Sequence, residues 1–306
     1  MKILLTGAGG LAGRYIRSEF SEATITAIDG REALDLSRPL PEGSLESLDP
    51  DPSTPYDLII HSAGTTDAAR AMADNHESTV NLLHALSRLP RRPLALTLIS
   101  CHSVYSPDAG EDVTEETPLH PADEIGRSKM LAEKEARLWA EAAGVPLTIL
   151  RAGMLFGTGV RGEAAEMFRD VLTGRYIHVR GAEGRISVLC AYDLARAVRL
   201  TAGIPGIFNV ADSSNPTWKE LAEAMTANAG ARKRMMTLPP RWADEAWRFA
   251  RMLPAVAASL SPAVRERRSR SLTLSTEKLA AAIDWQPHDT LHVLSRTEKD
   301  YPYQEK

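Results

Sequence analysis

The stretch KILLTGAGGLAGRYI, residues 2–16, decides the fold. Its first five residues, Lys2 to Thr6, make a short apolar run of the kind buried in the middle of a parallel sheet. Glycines follow at once, and a helical pattern opens behind them. Two spacings are met together, Gly7-x-Gly9-x-x-Ala12 and Gly7-x-x-Gly10-x-x-Gly13. Between a strand and a helix, such glycines allow a tight turn, let the backbone approach a pyrophosphate and permit close helix–strand packing. The helix N-terminus adds free N–H groups and a partial positive charge. Gly7, Gly9, Gly10 and Gly13 are therefore candidate contacts to a dinucleotide. Asp29 follows the next apolar run, 20 positions after Gly9 (29 − 9), where an acid accepts hydrogen bonds from ribose hydroxyls. That favours NAD, while Arg31 suits a 2′-phosphate and keeps NADP open.

Outward from this motif, apolar runs at 24–28, 56–60, 94–100 and 146–152 alternate with amphipathic stretches at 74–89 and 125–143. The alternation predicts βαβ crossovers and an α/β fold, a Rossmann-like doubly wound parallel sheet. The stretch 37–55 holds five of the 19 prolines and reads as a surface connection. After about residue 160 the rhythm loosens into helices and short strands. The expected organisation is a dinucleotide-binding domain over 1–160, to which segments such as 186–212 return. Interleaved with it, residues 161–306 form a smaller, mainly helical substrate-binding lobe.

Composition narrows the partners. A chain of 306 residues with 43% hydrophobic and 25% charged residues suffices for one large core and a lobe. A net charge of -4 argues against a nucleic-acid footprint, and no apolar run reaches the ~18 residues of a membrane span. Cys101 and Cys190 lie 89 positions apart (190 − 101) with no CxxC, which predicts neither a disulfide framework nor a metal site. With no leader pattern before the first strand, a cytoplasmic location is expected.

The segments TGAGGLAG, DLIIHSAG, NHESTVNLLHAL, LISCHSVYS, GRSKMLAEK, LRAGMLFG, AYDLARAV, FNVADSSNPTWKELAEAM and STEKLAAAIDWQP occur in this order between residue 2 and about residue 300. In that order they resemble the extended short-chain dehydrogenases/reductases, the NAD-dependent epimerase/dehydratase family that acts on nucleotide sugars. The brevity of AIDGREALDLS resembles the sugar-nucleotide 4-ketoreductases. The resemblance adds Leu11, Ala63 and Gly64 to the cofactor-binding set. It also implies a Tyr four residues before a Lys, a Ser or Thr on the same substrate oxygen, and a supporting Asn. Lys129 matches the lysine and Asn75 the asparagine, whereas Ile125 stands at the tyrosine position and Cys101 at the Ser/Thr position. A thiol is a weak hydrogen-bond partner and an isoleucine none. The candidates for a replacement acid/base are Tyr105, His102 and Ser103, with His102 nearest in ordinary pKa, about 6.5. A non-catalytic dinucleotide-binding sensor or scaffold is the alternative. A small-molecule substrate of the nucleotide-sugar kind and a homodimer through the helices at 74–89 and 125–143 are further implications.

Two features of the second lobe bear on the substrate. Trp242, Ala246, Phe249, Ala250 and Leu253 fall at helical spacing, a face for packing on the lobe, for a lid over an apolar substrate or for a partner surface. RERRSR, 265–270, is either a diphosphate clamp or a solvated loop. Asp193 reads as the N-terminal cap of a helix, not as a catalytic residue.

Overall fold

A computed structural model, which describes residues 1–30, 34–228, 235–250 and 260–296, places Lys2–Thr6 inside a six-stranded sheet. The strand order is Gly206–Val210, Leu147–Ala152, Leu96–Cys101, Leu58–His61, Lys2–Thr6, Thr24–Ile28, and every pairing is parallel. Alternation along the first strand builds two cores. Ile3 and Leu5 face Ile16 of the helix Leu11–Glu19 and Leu194 and Val198 of the helix Ala191–Leu200. Leu4 faces the other way, toward Leu82 and Leu86 of the helix Ser78–Arg88 and Ala136 of the helix Glu124–Ala143. Helices thus cover both faces, as a parallel sheet requires. The fold is the doubly wound, Rossmann-like α/β class.

From Lys2–Thr6 the chain first builds outward to Thr24–Ile28 and then reverses to Leu58–His61 on the other side. Such a reversal opens a crevice beyond the carboxyl ends of the strands. The register sets Thr6 beside both Ile28 and His61, and Cys101 beside Ala152, so these residues form its floor.

The stretch 37–55 is more than a surface connection. It contains the helix Ser44–Leu48, and its Leu40 and Leu45 are buried in the second core beside the preceding Leu36. Pro41 and Pro50 flank that helix without entering it, so the leucines keep their apolar spacing. Apart from the six-stranded sheet, Met154–Phe156 pairs with Val188–Cys190, Ile177–Val179 with Met236–Leu238, and Gly110–Val113 with Leu272–Leu274. Phe156, Met167, Tyr176, Trp218 and Leu221 build a separate core there.

The apolar face of the helix Pro240–Ala250 also differs from the sequence expectation. Ala243, Ala246 and Trp247 pack on the lobe, while Trp242 and Phe249 are 58% and 72% exposed. The methyl group of Ala243 lets the helix approach closely, which rotates the bulky pair outward. Arg31, Arg251 and Leu253 lie outside the described residues. Among the described residues, no helix is long and apolar enough to cross a membrane.

Candidate active site

The glycine turn is built by contact. Gly7 has φ +70°, donates its N–H to the Ile28 carbonyl at 2.8 Å, and leaves no room for a side chain against Ala63. Gly13 presses on the Gly7 carbonyl: a Cβ there would stand 2.0 Å from that oxygen. Gly10 caps the helix Leu11–Glu19 with no side-chain hydrogen bond, so the first-turn N–H groups remain for a ligand. The Asp29 carboxylate packs on Gly9, the place where an acid can reach a ribose beside the loop. Gly13→Ala is expected to cost about 1–3 kcal/mol through the backbone collision. Gly10→Ala, whose methyl would stand 3.1 Å from the same oxygen, should cost less. Thermal melts of the two variants compare them directly, and equal melting temperatures would refute the packing argument.

Across the crevice stands the start of the helix Glu124–Ala143, fixed because the Asp123 carboxylate accepts the Gly126 N–H at 2.7 Å. Lys129 lies on its second turn and donates to the Ile99 carbonyl at 3.0 Å. Burial holds its ammonium below the ordinary lysine range, opposed by Cys101 and Glu133. Asn75 is buried in a π-helical turn, Met72–Glu77, a feature frequent at functional sites. Its Oδ1 accepts the Thr65 N–H at 2.7 Å, and its Nδ2 donates to Ser128 Oγ at 2.9 Å and to the Thr65 carbonyl at 3.2 Å. Ser128 in turn donates to the Ile125 carbonyl at 2.8 Å. Gly64 is wedged between this amide and Lys129: a Cβ there would meet Asn75 Oδ1 at 2.6 Å and Lys129 Nζ at 3.0 Å. Ala63, Gly64, Asn75 and Lys129 therefore meet at one place. The sequence did not single out Ser128 or Thr65, although Ser128 lies inside GRSKMLAEK and Thr65 directly follows DLIIHSAG.

Ile125 is half-buried one helical turn before Lys129 and offers no polar atom beyond its backbone. Cys101, at the end of its strand, is half-buried, and burial raises its thiol, which stays protonated at neutral pH. His102 and Ser103 follow in a short 3₁₀ turn, both half-buried. The His102 Nδ1 lies 3.3 Å from the Ala152 carbonyl. A carbonyl only accepts, so Nδ1 carries the proton and Nε2 is the lone-pair nitrogen. Burial lowers the His102 pKa, with Glu163 and Asp123 pulling the other way.

Tyr105 is not at the crevice. It is 1% exposed, donates to Asn209 Oδ1 at 2.8 Å and accepts from Arg151 Nη1 at 2.9 Å. Burial raises its phenol, and both hydroxyl bonds are committed inside, which removes it from the acid/base candidates. Asp193 also departs from its expected role. The helix Ala191–Leu200 is capped by Cys190, and the buried Asp193 accepts the His288 backbone N–H at 3.0 Å and faces its Nδ1 at 3.0 Å. It ties the helix to the C-terminal segment. RERRSR is not a loop: it lies in and just after the helix Pro262–Ser269, with Arg268 buried and Glu266, Arg267 and Ser269 exposed. Arg267 binds Glu163 at 2.5 Å, Arg265 binds Asp244, and Arg268 is buried against the Tyr176 and Trp218 rings.

The chain matches the model of the NAD dependent epimerase/dehydratase family over residues 3–211. It is 25% identical over 241 residues to the spore coat polysaccharide biosynthesis protein SpsK of Bacillus subtilis (strain 168), covering 75% of this chain and 80% of that protein. It is 27% identical over 176 residues to the uncharacterized protein y4nL of Sinorhizobium fredii (strain NBRC 101917 / NGR234), covering 55% of this chain and 49% of that protein. The chain thus spans about half the length of this second relative. In structure it is similar to the UDP-glucose 4-epimerase of Thermus thermophilus in complex with NAD, with a TM-score of 0.73 and 19% identity over 98% of this chain and 99% of that one. At that identity the likeness shows the fold.

Proposed function

The chain belongs to the NAD-dependent epimerase/dehydratase family, and from that premise we propose an NAD- or NADP-dependent enzyme of the nucleotide-sugar epimerase, dehydratase or reductase type with altered proton transfer. One observation carries the reading: Lys129 and Asn75 converge on Gly64 beside the glycine turn, while Ile125 occupies the turn before Lys129. The cradle fits a dinucleotide because Gly7 and Gly13 leave no side-chain volume and the helix N-terminus has no competing side-chain cap. Gly7, Gly9, Gly10, Leu11 and Gly13 would hold the pyrophosphate, Asp29 the adenosine ribose, and Lys129 the nicotinamide ribose. The coenzyme, when bound, supplies reversible hydride acceptance.

The proton needs another carrier, since Ile125 has none to give. His102 suits that role, because its Nδ1–H is occupied by the Ala152 carbonyl and Nε2 is left as a base. Cys101 and Ser103, hydrogen-bonded to each other, are the neighbouring polar groups that would reach the substrate oxygen. Because burial depresses the His102 pKa, its neutral form persists to lower pH than in a free imidazole. The acid limb of the rate profile should therefore fall below about 6.5, the ordinary histidine value. His102→Gln should lower turnover about 10²-fold or more with coenzyme affinity unchanged. Calorimetric titration with NAD and NADP, followed by a nucleotide-sugar panel, tests both parts; an unchanged rate in the variant would exclude His102.

The second reading, a coenzyme-binding sensor or scaffold without turnover, is favoured by Tyr105, whose hydroxyl is committed to Arg151 and Asn209. It predicts coenzyme binding with no reduction across the panel. A cytoplasmic homodimer paired through the helices Ser78–Arg88 and Glu124–Ala143 belongs to either reading, and the 53% exposure of Leu138 on the latter helix supports it.

A further inference from the structure

Resting on the coenzyme reading, we infer that His61 is a positioning residue for that site: with Thr6 and Thr79 it forms a hydrogen-bonded chain fixing the Asn75 backbone and the loop 63–65 to the glycine strand. His61 ends the strand Leu58–His61 and is 2% exposed. Its Nε2 lies 2.9 Å from Thr79 Oγ1, and its Nδ1 lies 2.6 Å from Thr6 Oγ1.

The proton positions follow from counting hydrogens. The single hydroxyl hydrogen of Thr79 goes to the Asn75 carbonyl at 2.6 Å, so Thr79 Oγ1 must accept from His61. His61 therefore carries its hydrogen on Nε2 and presents a lone pair on Nδ1. The Thr6 hydroxyl donates to that lone pair, and its oxygen accepts the Ala63 N–H at 3.3 Å. The chain runs one way, from Ala63 N–H through Thr6, His61 and Thr79 to the Asn75 carbonyl. A doubly protonated ring would oppose the hydrogen of Thr6 and break the direction. Burial, reinforced by the positive charge of Lys129, pushes the His61 pKa down to about 3, so the ring is neutral wherever the protein works.

The two ends of the chain matter because one lies in the loop 63–65 and the other in the π-turn that closes on it, both beside Lys129. Ala63 opens that loop, and Asn75 closes it by accepting the Thr65 N–H. Asn75 itself sits in a π-turn, a register that a plain helix does not hold by its own hydrogen bonds. Thr79, one residue into the following helix, adds a side-chain bond to the Asn75 carbonyl of that turn. Freeing the Asn75 carbonyl would let the turn relax, and Gly64 would lose its place between the Asn75 amide and Lys129.

The test uses Thr79→Val, which keeps the shape and removes the hydroxyl, beside Thr79→Ser, which restores it. The valine variant should weaken coenzyme binding about tenfold by calorimetry, with the serine variant within about twofold of the parent chain. Long-range proton–nitrogen NMR of the unaltered protein should show His61 as the Nε2–H tautomer, a measurement that needs no variant to fold. A Nδ1–H tautomer, or a valine variant binding coenzyme as well as the parent, overturns the inference alone. If the parent chain takes up neither NAD nor NADP although the tautomer is as stated, the coenzyme reading itself falls, and the positioning role with it.

Discussion

Replacing Glu133 by alanine is expected to cost the fold about 3–5 kcal/mol, the loss typical when one partner of a buried ion pair is removed. Glu133 is fully buried on the helix Glu124–Ala143, and Arg151, at the end of a central strand, is 2% exposed. The guanidinium grips the carboxylate with Nη2 at 2.7 Å and Nε at 3.1 Å, and Ser100 Oγ adds a bond at 2.5 Å. Arg151 also donates to Tyr105 and to the Glu115 carbonyl, so it cannot follow a lost partner to solvent without breaking two further bonds. Glu133→Ala strands a buried positive charge, and the melting temperature should fall on the order of 10 °C. The mechanism makes a second demand: Glu133→Leu combined with Arg151→Met should recover much of the loss, because no charge is then left unpaired. The exposed pair Glu245–Arg248 serves as contrast, and Glu245→Ala should change stability by less than about 1 kcal/mol. Similar small losses at both sites would show that the buried pair is not what holds the helix to the sheet.

That network also explains which parts of the molecule the sequence discloses. The glycine turn is legible because its strand, turn and helix start fall together within residues 2–19, although Ile28, Asp29 and Ala63, which pack on it, come from other elements. Lys129 and Asn75 are legible through the family resemblance, and the structure brings them to one glycine, Gly64. Tyr105 is not legible, because what decides its role lies 46 and 104 positions away, in Arg151 and Asn209. A tyrosine just after a strand and a short 3₁₀ turn, within a catalytic-looking motif, carries no local sign that its hydroxyl is spent. The same holds for Asp193, whose helix position suggests a cap while its oxygens go to His288, 95 positions on. Leu40 and Leu45 were hidden by the prolines around them, which mark turns but do not exclude a short buried helix between them. For Trp242 and Phe249, spacing identifies a stripe but not which of two stripes touches the lobe; the small Ala243 settles that in three dimensions. His61 was visible as a polar end to an apolar run, yet its partners Thr6 and Thr79 belong to other elements.

Ile125→Tyr is expected to raise hydride transfer by about 10²-fold or more, the usual contribution of a positioned acid or base. Ile125 and Lys129 are four residues apart on one helix, so a phenol at 125 projects on the lysine's face. The ammonium of Lys129 would favour the phenolate and draw its pKa below the ordinary tyrosine value of about 10. Replacing isoleucine by the larger ring is tolerable because Ile125 is only half-buried and lies in the first turn. Ile125→Phe isolates the hydroxyl: it adds the ring without the proton and should show no gain. Single-turnover reduction of bound coenzyme over a nucleotide-sugar panel, read from nicotinamide absorbance, gives the rate separately from binding. In the double variant Ile125→Tyr with His102→Gln, activity should stay near that of Ile125→Tyr, since the phenol then supplies the proton route that His102 is proposed to provide in the parent chain. A tyrosine variant that binds coenzyme as the parent does and gains nothing on any substrate would place the defect in the substrate pocket, and would favour the sensor or scaffold reading over an enzyme with relocated acid/base chemistry.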